Sequence, residues 1–223
     1  MTSAGSWPGR LASSMSDSSA PNAGRRIGVL VSGRGSNLQA LIEAVHEGRL
    51  QATIAVVLSN VPDAPALAKA TSAGIETLVA PHRGWSSREA YDEHLVEALR
   101  ARYVDVVCLA GFMRRLSARF LERFPGPVLN VHPSLLPAFP GIDAPGQALA
   151  HGVRVAGCTV HLVTPELDAG PIVCQAAVPV RGDDSAEALA ARILVEEHRL
   201  LPEAVSRVLA GGWRVDGRRF VDA

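Results

Sequence analysis

The sequence predicts an α/β fold: a Rossmann-like, mostly parallel, twisted sheet with helices on both faces. Short, nearly continuous Val/Ile/Leu runs alternate with segments of helical periodicity through the first half of the chain. Strands that are apolar on both faces are typical of parallel sheets buried between two helical layers. Beyond residue 150 two longer strands follow one another directly, so we expect a mixed, partly antiparallel C-terminal half.

The first half alternates strand and helix from Arg26 onward. Apolar runs predict strands at Ile27–Val31, Thr53–Leu58, Ile75–Val79 and Val104–Ala110. Apolar residues at three- and four-residue spacing predict helices at Asn37–Glu47, Asp63–Ala73 and from Ser86 or Ser87 to about Arg102. This alternation is the pattern of parallel strand pairing.

The second half has longer elements. Strands are expected at Pro127–Leu129, Ala156–Val163 and Ile172–Val178, with a final short strand or sheet edge within Trp213–Val221. Ser185–Ala210 has the spacing of one long helix. Because proline removes a backbone donor, we expect this helix to be interrupted or kinked near Pro202.

Length and composition predict a single domain over residues 25–223. The chain has 223 residues and is 48% hydrophobic, which is enough for one good-sized core. Residues 1–24 are rich in Ser, Ala, Gly and Pro and lack periodicity, which predicts a disordered tail.

Charge, hydropathy and cysteine usage limit the kinds of partner and the cellular compartment that we expect. Lys plus Arg equals Asp plus Glu at 22 each, which argues against a nucleic-acid partner. No apolar run reaches the roughly 18 residues of a membrane span. Cys108, Cys158 and Cys174 lie in apolar runs without metal-ligand spacing, so we expect buried, reduced thiols and a cytoplasmic location.

A glycine-rich turn, Ser32–Asn37, joins the first strand to the first helix. Glycines let backbone N–H groups approach an anion at a helix N-terminus, so we interpret the turn as a phosphate site. A dinucleotide site would need a third glycine where Leu38 stands and an acid near Asn60. The turn also lacks the Gly-Lys-Ser/Thr of a P-loop.

Three polar residues in the second half carry the candidate chemistry. Asn130 and His132 are two residues apart at a strand end, so their side chains point to the same face. A neutral donor beside a titratable one suits oxyanion stabilisation and proton transfer. Asp168, in the Thr164–Pro171 turn, can orient the histidine, although aspartate also favours turns for its own hydrogen bonding.

Weaker candidates remain. Arg114 and Arg115 follow the fourth strand, where open α/β sheets bind ligands, so one of them can meet a substrate carboxylate. Arg88 lies near the start of a predicted helix, where a surface ion pair is expected. His161 lies within a predicted strand, where we expect a structural role. We find no metal-ligand spacing and predict no catalytic metal.

Four segments taken together resemble the phosphoribosylglycinamide formyltransferases, folate-dependent enzymes of purine synthesis. These segments are Ser32–Gln39, Leu109–Arg114, Asn130–Pro137 and Leu167–Pro171. The resemblance runs from about Arg26 to Val221 and implies a formyltransferase fold that is a single catalytic domain. The N-terminal half would bind the ribonucleotide phosphate and the C-terminal half the folate. The implied reaction moves the formyl group of 10-formyltetrahydrofolate to the amine of 5'-phosphoribosylglycinamide.

The resemblance also implies site residues. Asn130, His132 and Asp168 match the catalytic triad. The ribonucleotide would be bound by Gly35, Ser36, Asn37 and Glu197. The folate would be bound by Asn130 and by Arg88, Met113, Arg114, Arg115, Leu116, Thr164, Pro165, Glu166, Leu167 and Asp168. Small molecules are the implied partners, and because relatives include monomers and dimers, a homodimer stays open.

One loop departs from the family pattern, and other functions stay open. Family members often carry histidines at the positions of Asp143 and Pro145, which puts contacts there in doubt. A formyltetrahydrofolate hydrolase and a methionyl-tRNA formyltransferase share the chemistry. They normally carry, respectively, an N-terminal regulatory domain and a C-terminal RNA-binding domain. A non-catalytic phosphate-binding module would not need the triad.

Overall fold

The computed structural model describes residues 25–222, so the predicted disordered tail of residues 1–24 lies outside the described range. The strands are β1 (Arg26–Val31), β2 (Thr53–Ser59), β3 (Thr77–Val79), β4 (Val106–Leu109), β5 (Val128–His132), β6 (Val155–Leu162), β7 (Ile172–Pro179), β8 (Trp213–Asp216) and β9 (Arg219–Asp222). The helices are α1 (Ser36–His46), α2 (Pro65–Ser72), α3 (Arg88–Arg100), α4 (Ala118–Arg123), α5 (Ala144–Ala150) and α6 (Ala186–Ala210).

All the strands form one sheet in the order β3-β2-β1-β4-β5-β6-β7-β9-β8. Strands β1 to β5 pair in parallel, and β6 pairs antiparallel with both β5 and β7. The predicted α/β class and the mixed C-terminal half are therefore confirmed. The strand order reverses between β1 and β4, and open sheets bind ligands at the carboxyl ends of strands beside such a reversal.

Two apolar clusters cover the two faces of the sheet. Alternate residues of β1 divide between them: Ile27 and Val29 face the cluster that contains α1 and α6, whereas Leu30 faces α3 and α4. This two-residue period explains why the parallel strands are apolar throughout. Within the described range, no helix is long and apolar enough to cross a membrane.

Helix α6 continues through Pro202, so the expected interruption is wrong, whereas the expected kink stays a prediction. Proline at this position removes the bond that its N–H would donate to the carbonyl of His198. Leu200, Leu201, Ala204 and Val205 are all buried in the core on either side of it. Packing against the sheet therefore outweighs the lost hydrogen bond.

The other differences are short elements that the sequence analysis missed. Helix α4 and helix α5 lie where no helix or strand was predicted, and the C-terminal segment contains a hairpin of two strands, β8 and β9. Helix α5 begins at an Asp N-cap with proline in its first turn, which is a recognised start signal. Both helices have only six or seven residues, too few to show a clear apolar periodicity.

The cysteines are free thiols. Cys108 and Cys158 are buried and Cys174 is partly buried. Burial raises the pKa of each thiol to about 12. The thiols therefore stay protonated and have low reactivity.

Candidate active site

The site lies at the carboxyl ends of β1, β4 and β5. Leu30 pairs with Leu109, and Leu109 pairs with Asn130, so these three residues form one row across the sheet. Because neighbouring strands lie about 4.8 Å apart, the glycine turn after β1 begins roughly 10 Å from Asn130. The turn and the Asn-x-His segment therefore border the same cleft.

Gly35 shapes the glycine turn. It is the N-cap of α1 and adopts a left-handed conformation with φ 69°. A Cβ there would lie 2.6 Å from Cβ of Ala66 in α2. Only glycine fits both constraints. The turn thus presents the free N–H groups of the first turn of α1, an arrangement that favours an anion.

Asn37 and Glu197 link the glycine turn to helix α6. Nδ2 of Asn37 donates to Oε2 of Glu197 at 2.8 Å, and both side chains are buried. Burial raises the pKa of Glu197, while the Asn37 hydrogen bond and the charge of His132 oppose that rise. Two residues predicted to bind the ribonucleotide are therefore in direct contact, 160 positions apart in sequence.

His132 lies between two oxygen acceptors. Its Nε2 is 2.9 Å from the carbonyl oxygen of Phe139, and its Nδ1 is 3.6 Å from Oδ2 of Asp168. The second distance suits an ion pair or a bridging water rather than a direct hydrogen bond. Asp168 has φ 49°, and its Oδ2 accepts from the backbone N–H of Gly141 at 2.8 Å.

His161, predicted to be a structural histidine, is buried and lies beside Asn130 and Asp168, with its Nε2 3.8 Å from Oδ1 of Asp168. Its Nδ1 lies 2.9 Å from the carbonyl oxygen of Leu162, which can only accept, so Nδ1 carries the proton. Nε2 is then the acceptor for the Asn130 amide, 3.2 Å away. Burial lowers the pKa of His161, against opposing effects of the Leu162 carbonyl and of Asp168, and this keeps the ring neutral.

The predicted folate residues form two facing segments. The backbone N–H of Met113 donates to Oγ of Ser32 at 2.8 Å, which ties the first segment to the glycine turn. Nη2 of Arg115 donates to the carbonyl oxygen of Pro165 at 2.6 Å, which joins the Met113–Leu116 segment to the Thr164–Asp168 segment. The side chain of Leu116 is buried, so only its backbone can meet a ligand.

Three exposed apolar side chains lie in or beside the segments of Asp168, Gly141 and Arg115. Leu167 is adjacent to it in sequence and is 53% exposed. Ile142 follows Gly141, which donates to Asp168, and is 92% exposed. Met113, 78% exposed, lies two residues before Arg115. We call Met113, Ile142 and Leu167 the apolar rim, and exposed apolar side chains of this kind are typical of a site for a flat organic ligand.

Two predicted arginines lie further out. Arg88 is the first residue of α3, and its ion pair within residues 25–222 is with neighbouring Glu89 at 3.7 Å. The guanidinium of Arg114 lies 5.1 Å from the ring centre of Tyr91. Both cations are on the α3 side of the sheet.

The loop that departs from the family pattern is the start of a helix. Oδ1 of Asp143 accepts from the N–H of Gly146 at 3.2 Å and caps α5, and Pro145 lies in the first turn. The carboxylate of Asp143 is therefore used in helix capping. In the described part of the chain, no group of three or more His, Cys, Asp or Glu side chains could hold a metal ion.

The chain is similar to formyl transferases and to purine biosynthetic proteins. The formyl transferase family model matches residues 25–205. Phosphoribosylglycinamide formyltransferase of Escherichia coli is 45% identical over 190 residues, which are 85% of this chain and 87% of that protein. The human trifunctional purine biosynthetic protein adenosine-3 is 46% identical over 186 residues, 83% of this chain. The chain spans only 14 to 19% of the length of four such trifunctional relatives.

Solved structures agree with the sequence relatives. Glycinamide ribonucleotide transformylase 1 from Symbiobacterium toebii superposes with a TM-score of 0.86 at 52% identity, covering 88% of this chain and 92% of that one. Phosphoribosylglycinamide formyltransferase from Anaplasma phagocytophilum gives a TM-score of 0.81 at 44% identity, covering 89% and 94%. The family match over residues 25–205, together with relatives and solved structures at 44 to 52% identity, shows that this chain belongs to the formyl transferase family and, within it, to the phosphoribosylglycinamide formyltransferases.

Proposed function

We propose that this formyltransferase moves the formyl group from N10 of 10-formyltetrahydrofolate to the amine of 5'-phosphoribosylglycinamide. The products are 5'-phosphoribosyl-N-formylglycinamide and tetrahydrofolate. One observation carries the proposal: Asn130, His132 and Asp168 meet beside an anion-binding glycine turn. Oxyanion and proton-transfer groups thus lie within reach of a phosphorylated substrate. The reduced thiols support a cytoplasmic location.

The ribonucleotide binds in the N-terminal half of this single domain. The first-turn amides at Gly35, Ser36 and Asn37 bind its phosphate, because they are unpaired within the helix and lie at its positive end. Glu197, held by Asn37, accepts hydrogen bonds from the ribose hydroxyls. Lys69 adds positive charge beside the turn, with its Nζ 3.5 Å from the carbonyl oxygen of Gly35.

The folate binds in the C-terminal half. The backbone at Met113–Leu116 and Thr164–Asp168 recognises the polar edge of the pterin ring, and the apolar rim of Met113, Ile142 and Leu167 contacts its faces. Arg88 and Arg114 provide cations for the glutamate carboxylates of the folate. The backbone groups, the apolar rim and the two arginines are thus complementary to the ring edge, the ring faces and the carboxylates of a folate.

Asn130 and His132 stabilise the oxyanion that forms when the amine nitrogen attacks the formyl carbon. Asn130 uses one amide hydrogen for His161 and keeps the other for the oxyanion. Nε2 of His132 lies 2.9 Å from the carbonyl oxygen of Phe139 and Nδ1 faces Asp168, so the Nε2–H must turn from that carbonyl to donate to the oxyanion. One preorganised donor of this kind typically contributes about 3 kcal/mol to the barrier reduction.

Asp168 directs the proton transfer. Its carboxylate lies 3.6 Å from Nδ1 of His132, a separation that leaves the proton route to a water molecule. The amine nitrogen loses one proton as its new bond to carbon forms. N10 gains one as its bond to carbon breaks, so the transfer is balanced without another reactant.

The test is to follow the absorbance of a 10-formyl folate analogue with and without phosphoribosylglycinamide. Consumption that requires the ribonucleotide is the expected result. Consumption in its absence would instead indicate a hydrolase. Consumption that requires charged initiator tRNA would indicate a methionyl-tRNA formyltransferase. No consumption under any of these conditions, with phosphate binding retained, would indicate a binding module.

A further inference from the structure

The turn between β6 and β7, residues 164–171, carries Asp168 and projects from the sheet. We call it the Asp168 loop. Its base is held by the backbone, since the N–H of Leu162 donates to the carbonyl oxygen of Pro171 at 2.9 Å. Its middle, Pro165 to Leu167, is exposed. The backbone of the exposed part therefore needs support from elsewhere if Asp168 is to keep its place.

Two arginines from distant parts of the chain bind this loop at its two ends. Arg115, after β4, donates from Nη2 to the carbonyl oxygen of Pro165 at 2.6 Å. Arg218, near the C-terminus, donates from Nη2 to the carbonyl oxygen of Ala169 at 3.1 Å. The two accepting carbonyls lie on either side of Asp168 in the sequence. Each bond is charge-assisted, which makes it stronger than a neutral one.

Arg218 is placed by the C-terminal hairpin. It lies in the two-residue turn between β8 and β9, where Asp216 pairs with Arg219. The hairpin joins the sheet through Ile172 and Arg219, directly after the Asp168 loop. Arg207 of α6 fixes the hairpin further, since it donates to the carbonyl oxygen of Val173 at 2.9 Å and also binds Asp222.

We propose that Arg115 and Arg218 are positioning residues that together hold the Asp168 loop, so that the C-terminal hairpin is part of the catalytic apparatus. The proposal rests on the proposed function for its catalytic consequence. With both carbonyls held, the Asp168 carboxylate stays within reach of Gly141 and His132. Without them, the carboxylate moves relative to His132, and a misplacement of about 1 Å can lower a rate by up to about 100-fold.

The loop itself supplies a probe of its mobility, because Glu166 lies at its exposed centre. A glutamate-specific protease cuts after this residue, giving fragments 1–166 and 167–223 that mass spectrometry identifies. Arg115→Met and Arg218→Met keep apolar stems of similar length but remove the guanidinium groups. The matched controls are Arg219→Met in the same hairpin and Arg119→Met, whose guanidinium is 3.7 Å from Glu93.

We expect cleavage after Glu166 to accelerate about fivefold in each single variant and more in the double variant, with the melting temperature and the control variants unchanged. Turnover should fall roughly three- to tenfold, and KM for the folate should rise while KM for the ribonucleotide stays constant. Arg115→Lys should recover part of the loss. Equal cleavage rates in wild type and both variants would overturn the proposal. Because cleavage needs no catalysis, this result stays distinct from a failure of the formyl-transfer assay.

Discussion

The Asn130 amide and the imidazole of His161 face each other across the β5–β6 pair, with 3.2 Å between Nδ2 and Nε2. Since Nδ1–H of His161 donates to the carbonyl oxygen of Leu162, Nε2 is the acceptor, and this fixes the orientation of the Asn130 amide. His161 therefore acts on the proposed oxyanion site through Asn130 and is a positioning residue.

Replacement of His161 should disturb the orientation of the Asn130 amide without weakening ribonucleotide binding. His161→Leu removes the acceptor, so we expect turnover to fall about tenfold while KM for the ribonucleotide stays within twofold. This loss should be smaller than the roughly 100- to 1,000-fold loss expected when an oxyanion donor is removed, as in Asn130→Ala. His161→Gln supplies an amide oxygen and should recover part of the rate. Steady-state kinetics beside the exposed-residue control His46→Gln would show this pattern, and equal rates for the Leu and Gln variants would contradict it.

The same residue predicts a pH dependence of stability. Burial lowers the pKa of folded His161 below the unfolded value of about 6.5. Because the folded pKa is depressed, the contribution of His161 to stability is full above the unfolded pKa. It is lost as pH falls through the folded pKa. Thermal unfolding between pH 5 and 8 should therefore show a shallower acid-side decline in His161→Gln than in wild type. A parallel decline in both proteins would show that His161 does not titrate in this way.

Asp168→Asn tests the proton-transfer role. The new side chain keeps an oxygen for the N–H of Gly141 but loses the negative charge that faces His132 at 3.6 Å. General acid–base groups contribute about 100- to 10,000-fold, so we expect turnover to fall within that range. Binding of the ribonucleotide, measured by calorimetry, should stay within twofold. Asp183→Asn, which neutralises an exposed carboxylate, is the control, and near-normal turnover in Asp168→Asn would exclude the role.

Much of the site could be predicted from the sequence because it lies at strand ends that short motifs mark. The glycine turn and the Asn130–His132 segment each follow an apolar run directly, and Asp168 lies in a recognisable turn between two predicted strands. His161 could not be assigned in this way. Its role depends on the register that places it opposite Asn130, and register follows from the packing of the whole sheet.

The long-range hydrogen bonds of the two arginines and the continuity of α6 at Pro202 also depend on tertiary packing. Arg115 and Arg218 lie 50 and 49 positions from the carbonyls that they bind, and no local pattern indicates such partners. Pro202 was expected to interrupt or kink helix α6, but the helix is continuous, and buried neighbours lie on both sides of the proline. In each case tertiary contacts override or extend what local spacing specifies.

Glu197→Gln should stabilise the protein at neutral pH. Burial raises the folded pKa of Glu197, so its contribution to stability is full below the unfolded value of about 4.5 and is lost as pH rises through the folded pKa. The neutral amide avoids this loss and keeps an oxygen for Asn37. We therefore expect the melting temperature of the variant to exceed that of wild type at pH 7 to 8, and the gain to shrink towards pH 4.5. Glu97→Gln, which neutralises an exposed carboxylate of α3, is the control, and a lower melting temperature of Glu197→Gln at pH 8 would contradict the prediction.

Gly35→Ala and Gly33→Ala form a matched pair that tests the glycine turn. At Gly35 the left-handed φ of 69° and a Cβ position 2.6 Å from Cβ of Ala66 both oppose a side chain, whereas nothing lies within 4 Å of a Cβ at Gly33. Strain and overpacking of this kind destabilise proteins by about 1–3 kcal/mol, which for a domain of this size lowers the melting temperature by roughly 3–10 °C. We expect Gly35→Ala to show that loss and to weaken ribonucleotide binding at least tenfold by calorimetry, because the amides that bind the phosphate move with α1. Gly33→Ala should melt within about 2 °C of wild type. If both variants bind the ribonucleotide like wild type, the phosphate lies elsewhere in the cleft.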